Sequence, residues 1–184
     1  MWESEDLYLT PALGCITPGY LILAPKEHYL SFAQAPDALL IIANRIWEEA
    51  NNVGARLGLP SYVLFEHGAA TRSWRGAACI EHAHLHLVPS RDHGKLSSHL
   101  QTRYRHQQHS SLADIKTLDG GPPYLLLGNS SGLFSYETPQ IASQYLRMQI
   151  AAQWGVPEKW NWRLHPMSEN FWITVAMFSR SFFV

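Results

Sequence analysis

The chain has little cysteine, little charge and no long apolar run. Its 184 residues include two cysteines, Cys15 and Cys79. They form no C-x-x-C pair, which excludes a four-cysteine zinc site and a disulfide framework, and two thiols suit a reducing cytosol. Charged residues make up 16%, with 14 Lys and Arg against 15 Asp and Glu and a formal charge of -1. Polyanion binding depends on clustered Lys and Arg that release counterions. The dense basic stretches here are short, residues 72–75 and 103–105, so no nucleic-acid partner is expected. The longest apolar runs, such as residues 39–43, fall far short of the roughly 20 residues of a membrane span. The opening Met-Trp-Glu-Ser-Glu-Asp lacks the basic and apolar regions of a signal peptide. The expectation is a cytoplasmic protein with no membrane partner.

What is present is a 46% hydrophobic content, enough for a core without covalent staples. Residues 7–10 and 20–24 read as strands, separated by a turn-rich stretch with Pro11, Gly14, Pro18 and Gly19. A long helix follows. Leu39, Ile42, Ala43, Ile46, Ala50, Val53 and Leu57 recur at three- and four-residue steps, with Pro36 in the first turn and Gly58 as the stop. Residues 61–65 and 80–88 read as two more strands. Beyond Pro89 the chain turns polar, with His93, His99, His106 and His109 expected at the surface and some helix within 96–107. Residues 124–127 and 133–136 bracket a hairpin turn, and helices are expected over 139–154 and 168–179. The organisation predicted is a core domain over residues 1–92. Residues 93–184 form a C-terminal extension packed on it, not an independent domain, with Trp154, Trp160, Trp162 and Trp172 serving that packing or a partner interface.

Residues 82–88 read His82-Ala-His84-Leu-His86-Leu-Val88. Strand side chains alternate faces, so the three imidazoles share one face while Ala83, Leu85 and Leu87 share the other. The apolar set would enter the core and the rings would line a site. Two chemistries could use such a face. Metal binding is one, since neutral imidazole is a common ligand. Its spacing is awkward, because same-face neighbours lie roughly 6.6 Å apart and His82 and His86 about 13 Å apart along a strand. His28, His67, Glu66, Glu81 or Cys79 would have to complete the set. Nucleophilic catalysis is the other. An imidazole with an ordinary pKa of about 6.5 is largely neutral at pH 7, and it can attack phosphorus with no separate base.

The seven-residue run resembles the signature of the histidine triad (HIT) family, in which histidines alternate with apolar residues. Pro18-Gly19-Tyr20 and Pro25-Lys26-Glu27-His28 are similar to that family's Pro-Gly-His strand and Pro-Lys-x-His turn. The likeness covers roughly residues 5–90. It implies an α+β HIT-like fold, an antiparallel sheet with a long helix, here followed by a C-terminal α/β extension. It also implies a homodimer that hydrolyses or transfers nucleoside phosphate groups through a covalent histidine intermediate, with no cofactor or metal required for the attack. By this resemblance His84 is the nucleophile, and His82 and His86 support it.

The sequence departs from that pattern at several positions. Tyr20 stands where the family has a histidine, and Ala12 where an acidic residue commonly holds ribose. The family's polar pair before the motif reads Ala78-Cys79, and its strand-end Asn or Gln reads Glu66-His67-Gly68. Tyr20, His28, Glu66, His67 and Cys79 are therefore the candidate substrate-binding residues, though Cys79 also suits a small buried position. Arg72, Arg75 and Arg147 suit either a phosphate contact or a solvated surface. These departures suit a rival reading, a non-catalytic nucleotide- or phosphate-binding protein on the same fold, and the face of three imidazoles leaves a second, a histidine-ligated metal protein.

Overall fold

The computed structural model describes residues 2–68, 81–137, 141–142 and 144–179. Strands β1 (Trp2–Glu3), β2 (Leu7–Pro11) and β3 (Leu21–Pro25) precede helix α1 (Asp37–Arg56). β4 (Tyr62–Gly68), β5 (Leu85–Pro89), helix α2 (His93–Arg103) and β6 (His106–His109) follow. β7 (Tyr124–Asn129), β8 (Gly132–Glu137), α3 (Tyr145–Gln153) and α4 (Ser168–Phe178) complete the order. The strands form a single antiparallel sheet in the order β1-β2-β3-β5-β4-β7-β8-β6. Because β7 pairs with β4, residues on either side of position 92 share one sheet.

Period-two alternation sorts the central strands onto two faces. Leu21 and Leu23 of β3, Leu85 and Leu87 of β5, Tyr62 and Leu64 of β4, and Tyr124 and Leu126 of β7 meet Leu40, Ala43, Ile46, Ala50 and Val53 of α1. Each fully buried Leu, Ile or Val side chain of that stripe contributes about 1.5–3 kcal/mol. Val63, Phe65, Val88, Leu125 and Leu127 turn to the opposite face and pack with Leu146, Ile150 and Ala151 of α3 and Leu96 and Leu100 of α2. Every residue of β7 is buried, as befits a strand covered on both sides.

Helix α1 matches its periodicity. Pro36 is its N-cap rather than a first-turn residue, and Gly58 follows it at φ +72. Gly19, just before β3, sits at φ +88, where a Cβ would lie 2.7 Å from Leu59 and 2.8 Å from the Tyr62 hydroxyl. Any side chain there would displace β3 from the end of α1.

Three expectations are corrected. The strand expected over 80–88 begins only at Leu85. Upstream, the Ala83 amide donates to the Tyr29 carbonyl at 2.7 Å, so this stretch is held by the turn after β3 and not by a ladder. The helix expected from 139 starts at Tyr145, after Gln144 in the left-handed region at φ 63. His109, expected at the surface, is buried and its Nε2 meets the Ser135 hydroxyl at 2.8 Å. The reason is that the chain leaves α2 at Tyr104 and enters edge strand β6 against β8, which turns His109 inward.

Candidate active site

His82, His84 and His86 line one cleft of about 260 Å³. Its floor is the sheet face carrying Ile22, Phe65 and Leu125, and its far wall is the start of α3 with Trp162 beyond it. Although His82 and His84 precede β5, the segment stays extended enough to keep all three rings on one side, while Ala83, Leu85 and Leu87 enter the core.

Each imidazole has a different anchor. His82 Nε2 meets the Pro25 carbonyl at 2.7 Å, and His28 packs edge-on against the His82 ring at 5.4 Å between centroids. His84 Nδ1 lies 2.8 Å from the His82 carbonyl. A carbonyl only accepts, so Nδ1 carries the proton and Nε2 keeps its lone pair. Burial holds the His84 imidazole below its ordinary pKa, with charge repulsion from His82 and Arg147 acting in the same direction and the hydrogen bond to the His82 carbonyl opposing it. His84 is thus a neutral imidazole whose free lone pair sits on Nε2. His86 stacks on Phe65, with centroids 4.4 Å apart and planes 13° from parallel, and stands edge-on to His84 at 4.8 Å. Its Nδ1 lies 2.6 Å from the Tyr20 hydroxyl. Burial pushes His86 well below its ordinary value, aided by repulsion from His84 and Arg147.

Behind Tyr20 stands Arg147 of α3. Its guanidinium donates to the Tyr20 hydroxyl (2.9 Å), the Gly14 carbonyl (2.7 Å) and the Trp160 carbonyl (3.0 Å), and lies 5.2 Å from the Tyr20 ring centre. Arg147 is 4% exposed. Among the described residues no carboxylate pairs with it, and none lines the cleft. A buried cation held by neutral acceptors gives this cleft a positive potential in a low-dielectric setting.

The remaining sequence candidates separate. His67 lines the cleft; its Nε2 is buried with no hydrogen-bond partner among the described residues, and burial lowers its pKa to about 4. Glu66, one residue earlier, faces the other side of the sheet. Its carboxyl accepts from the Phe32 amide and the Tyr124 hydroxyl, both at 2.7 Å, and burial raises it to about 7. It therefore ties β4 and β7 to the chain before α1, away from the cleft. His28 is exposed, does not line the cleft, and hydrogen-bonds the Glu81 carbonyl. Tyr20 is fully buried; its hydroxyl meets His86 Nδ1 and its ring lies 5.7 Å from the His86 ring between centroids. Ala12, at the position where the family resemblance would place an acidic residue, is buried. Cys79, Arg72 and Arg75 lie outside the described residues. Among those described, no group of three or more His, Cys, Asp or Glu side chains could hold a metal ion.

Sequence reasoning missed Phe65 as a partner of His86 and left Arg147 open between two readings. One signal was available: α3 contains no acidic residue, so Arg147 has no counter-charge within its own helix. Of the tryptophans, Trp154 and Trp160 pack on the core of the cleft side, Trp162 lines the cleft, and Trp172 is 66% exposed.

No family model matches the chain, and no curated protein is similar to it. Five chains of solved structures do match. One is a hypothetical histidine triad nucleotide-binding protein from Sulfolobus tokodaii strain 7, 17% identical, with a TM-score of 0.38. The likeness covers 50% of this chain and 59% of that one. No helix among the described residues is long and apolar enough to cross a membrane.

Proposed function

We propose that this protein is a histidine triad hydrolase or transferase acting on the phosphate ester, anhydride or phosphoramidate of a nucleoside-like molecule. The observation that carries the reading is the fixed tautomer of His84. Its Nδ1–H is committed to a backbone carbonyl, and its neutral Nε2 belongs to the wall of a cleft that also holds a buried cation with no carboxylate partner among the described residues.

The reaction runs in two displacements. The His84 Nε2 lone pair bonds to phosphorus as the bond from phosphorus to the leaving group breaks. A phosphate leaving group departs as its anion, and an amine or alkoxide takes a proton from water. Water then attacks the phosphohistidine, the N–P bond breaks, and the water proton passes to solvent. In transfer, a hydroxyl or amine acceptor replaces water. Arg147 supplies the field that draws the substrate anion, and Tyr8, Tyr145 and Trp162 supply flat walls for an aromatic base.

One feature of the cleft limits the substrate. Its described lining has no carboxylate to accept from vicinal ribose hydroxyls. The reaction class accordingly rests on more of the site than the identity of the nucleoside does. Wild type and His84→Ala should be mixed with a nucleoside phosphoramidate, with intact mass and product release followed. Wild type should show a transient adduct on the protein and the variant none; equal turnover by both would refute the proposal.

A non-catalytic binder on the same fold would keep the cleft and bind nucleotides without turnover. In thermal shift with adenosine and guanosine monophosphates it would show stabilisation, and mass analysis would find no adduct.

A further inference from the structure

We propose that Arg147, acting through Tyr20, holds His86 in the tautomer with its proton on Nε2, so that the imidazole offers the cleft a neutral N–H donor. Arg147 is then a positioning residue for His86, contributed by a helix nearly sixty residues beyond the histidine motif.

The argument is one of acid and base strength along a three-membered chain. A guanidinium has only donors, so the 2.9 Å contact makes the Tyr20 oxygen an acceptor. The same oxygen lies 2.6 Å from His86 Nδ1. Two directions are available to that short bond. A phenol is the stronger acid and an imidazole nitrogen the stronger base, and the Arg147 charge beside the phenol polarises its O–H further. The proton therefore points from Tyr20 to Nδ1. A neutral imidazole carries one N–H, so it resides on Nε2, the nitrogen farther from Tyr20. Stacking on Phe65 fixes the ring plane, and the ladder pairing of His86 with Phe65 fixes its base.

The consequence depends on the phosphorus-transfer reading given above. With Nε2 protonated, His86 donates to a phosphoryl oxygen as charge grows there; with the other tautomer a lone pair would face that oxygen and repel it. The cleft then contains complementary neighbours: His84 with a lone pair on Nε2 and His86 with a proton on Nε2. Each is set by what its Nδ1 contacts, a carbonyl for one and a phenol for the other.

The test is long-range nitrogen–proton NMR of histidine-labelled protein, comparing wild type with Tyr20→Phe, Arg147→Lys and Arg147→Met. Wild type should show His86 protonated on Nε2, with Nδ1 resonating as a hydrogen-bonded acceptor. Tyr20→Phe should move Nδ1 to the position of an acceptor without a donor. Arg147→Met should move it partway, and Arg147→Lys should restore most of the shift. In turnover, kcat/KM should fall roughly ten- to a hundredfold in Tyr20→Phe and Arg147→Met, with partial rescue by lysine. Should Arg147→Met not fold, Tyr20→Phe reads the same resonance. Protonation of wild-type His86 on Nδ1, or an Nδ1 resonance unchanged in Tyr20→Phe, overturns the proposal. The spectra need no substrate, so failure of the His84 labelling experiment would count against phosphorus transfer and leave this readout standing.

Discussion

Phe65 and His86 face each other across the β4–β5 ladder as register partners, and their rings stack at 4.4 Å. The stack joins the hydrophobic core of the cleft side to the site itself, since Phe65 also packs among Val63, Leu125 and Leu127. Phe65→Leu should keep most of the fold and lose the flat surface that orients His86. The expected result is a several-fold fall in kcat with a smaller change in melting temperature. Phe65→Ala should cost about 3–5 kcal/mol of stability by opening a cavity. Unchanged kcat in a folded Phe65→Leu protein would remove any positioning role from the stack.

The three histidines should respond unequally to substitution. His84→Ala should lower kcat/KM on the order of 10³-fold or more, as loss of a nucleophile does. His82→Ala should cost far less, about tenfold or below, because the group that orients His84 is the backbone carbonyl of residue 82 and survives the change. Steady-state kinetics on the two variants measures the difference, and equal losses would contradict the orienting role given to the backbone carbonyl of residue 82.

Glu66 and His67 are adjacent in sequence and oppose one another in their effect on stability. Glu66 titrates at about 7 in the fold against an ordinary 4.5, so the native state holds its proton more tightly. Its contribution is fully present below about pH 4.5 and fades as pH rises to about 7. His67 titrates at about 4 against 6.5, so its contribution is present above pH 6.5 and is lost as pH falls towards 4. Each shift corresponds to roughly 3 kcal/mol. Urea unfolding across this window should therefore show Glu66→Gln becoming more stable with rising pH, with a steeper slope than wild type. His67→Gln should show a shallower slope. Parallel profiles for all three proteins would contradict the assignment.

Activity should persist into mild acid. The proposed attack requires neutral His84, whose pKa is held below 6.5 by burial together with the charges of His82 and Arg147. The acid limb of kcat/KM should then fall below pH 6.5, and Arg147→Met should move it upward by removing one source of repulsion. A downward movement in that variant would show the sign to be wrong.

Gly68 ends β4 with the Tyr124 ring packed over it; an added Cβ would lie 2.1 Å from Tyr124 Cζ. Gly68→Ala should therefore displace Tyr124 from Glu66 and cost about 1–3 kcal/mol or more, read by chemical denaturation. Retained stability would mean that β4 can shift at no cost.

Several features were legible from local pattern. The stripe of α1, the strands β2, β3 and β4, the hairpin of β7 and β8, and the shared face of His82, His84 and His86 all follow from side-chain period and turn chemistry. These depend on neighbours a few residues apart, which a sequence displays directly. The alternation also separates Glu66 from His67. It does not say which face of β4 would meet the cleft, because both faces of the strand are buried.

Only the tertiary structure decided the rest. The pairing of β7 with β4 extends the sheet beyond the first ninety residues and brings α3 over the histidines. It places Arg147, 127 residues from Tyr20, within hydrogen-bond reach of its hydroxyl. It also turned His109 inward and left His28 outside the cleft. Periodicity fixes which side of an element a residue occupies, whereas partners distant in sequence are chosen by how whole faces pack. The shared face of the three histidines is thus legible from their spacing, while the hydrogen-bond partners and the charge that surround them belong to the folded chain.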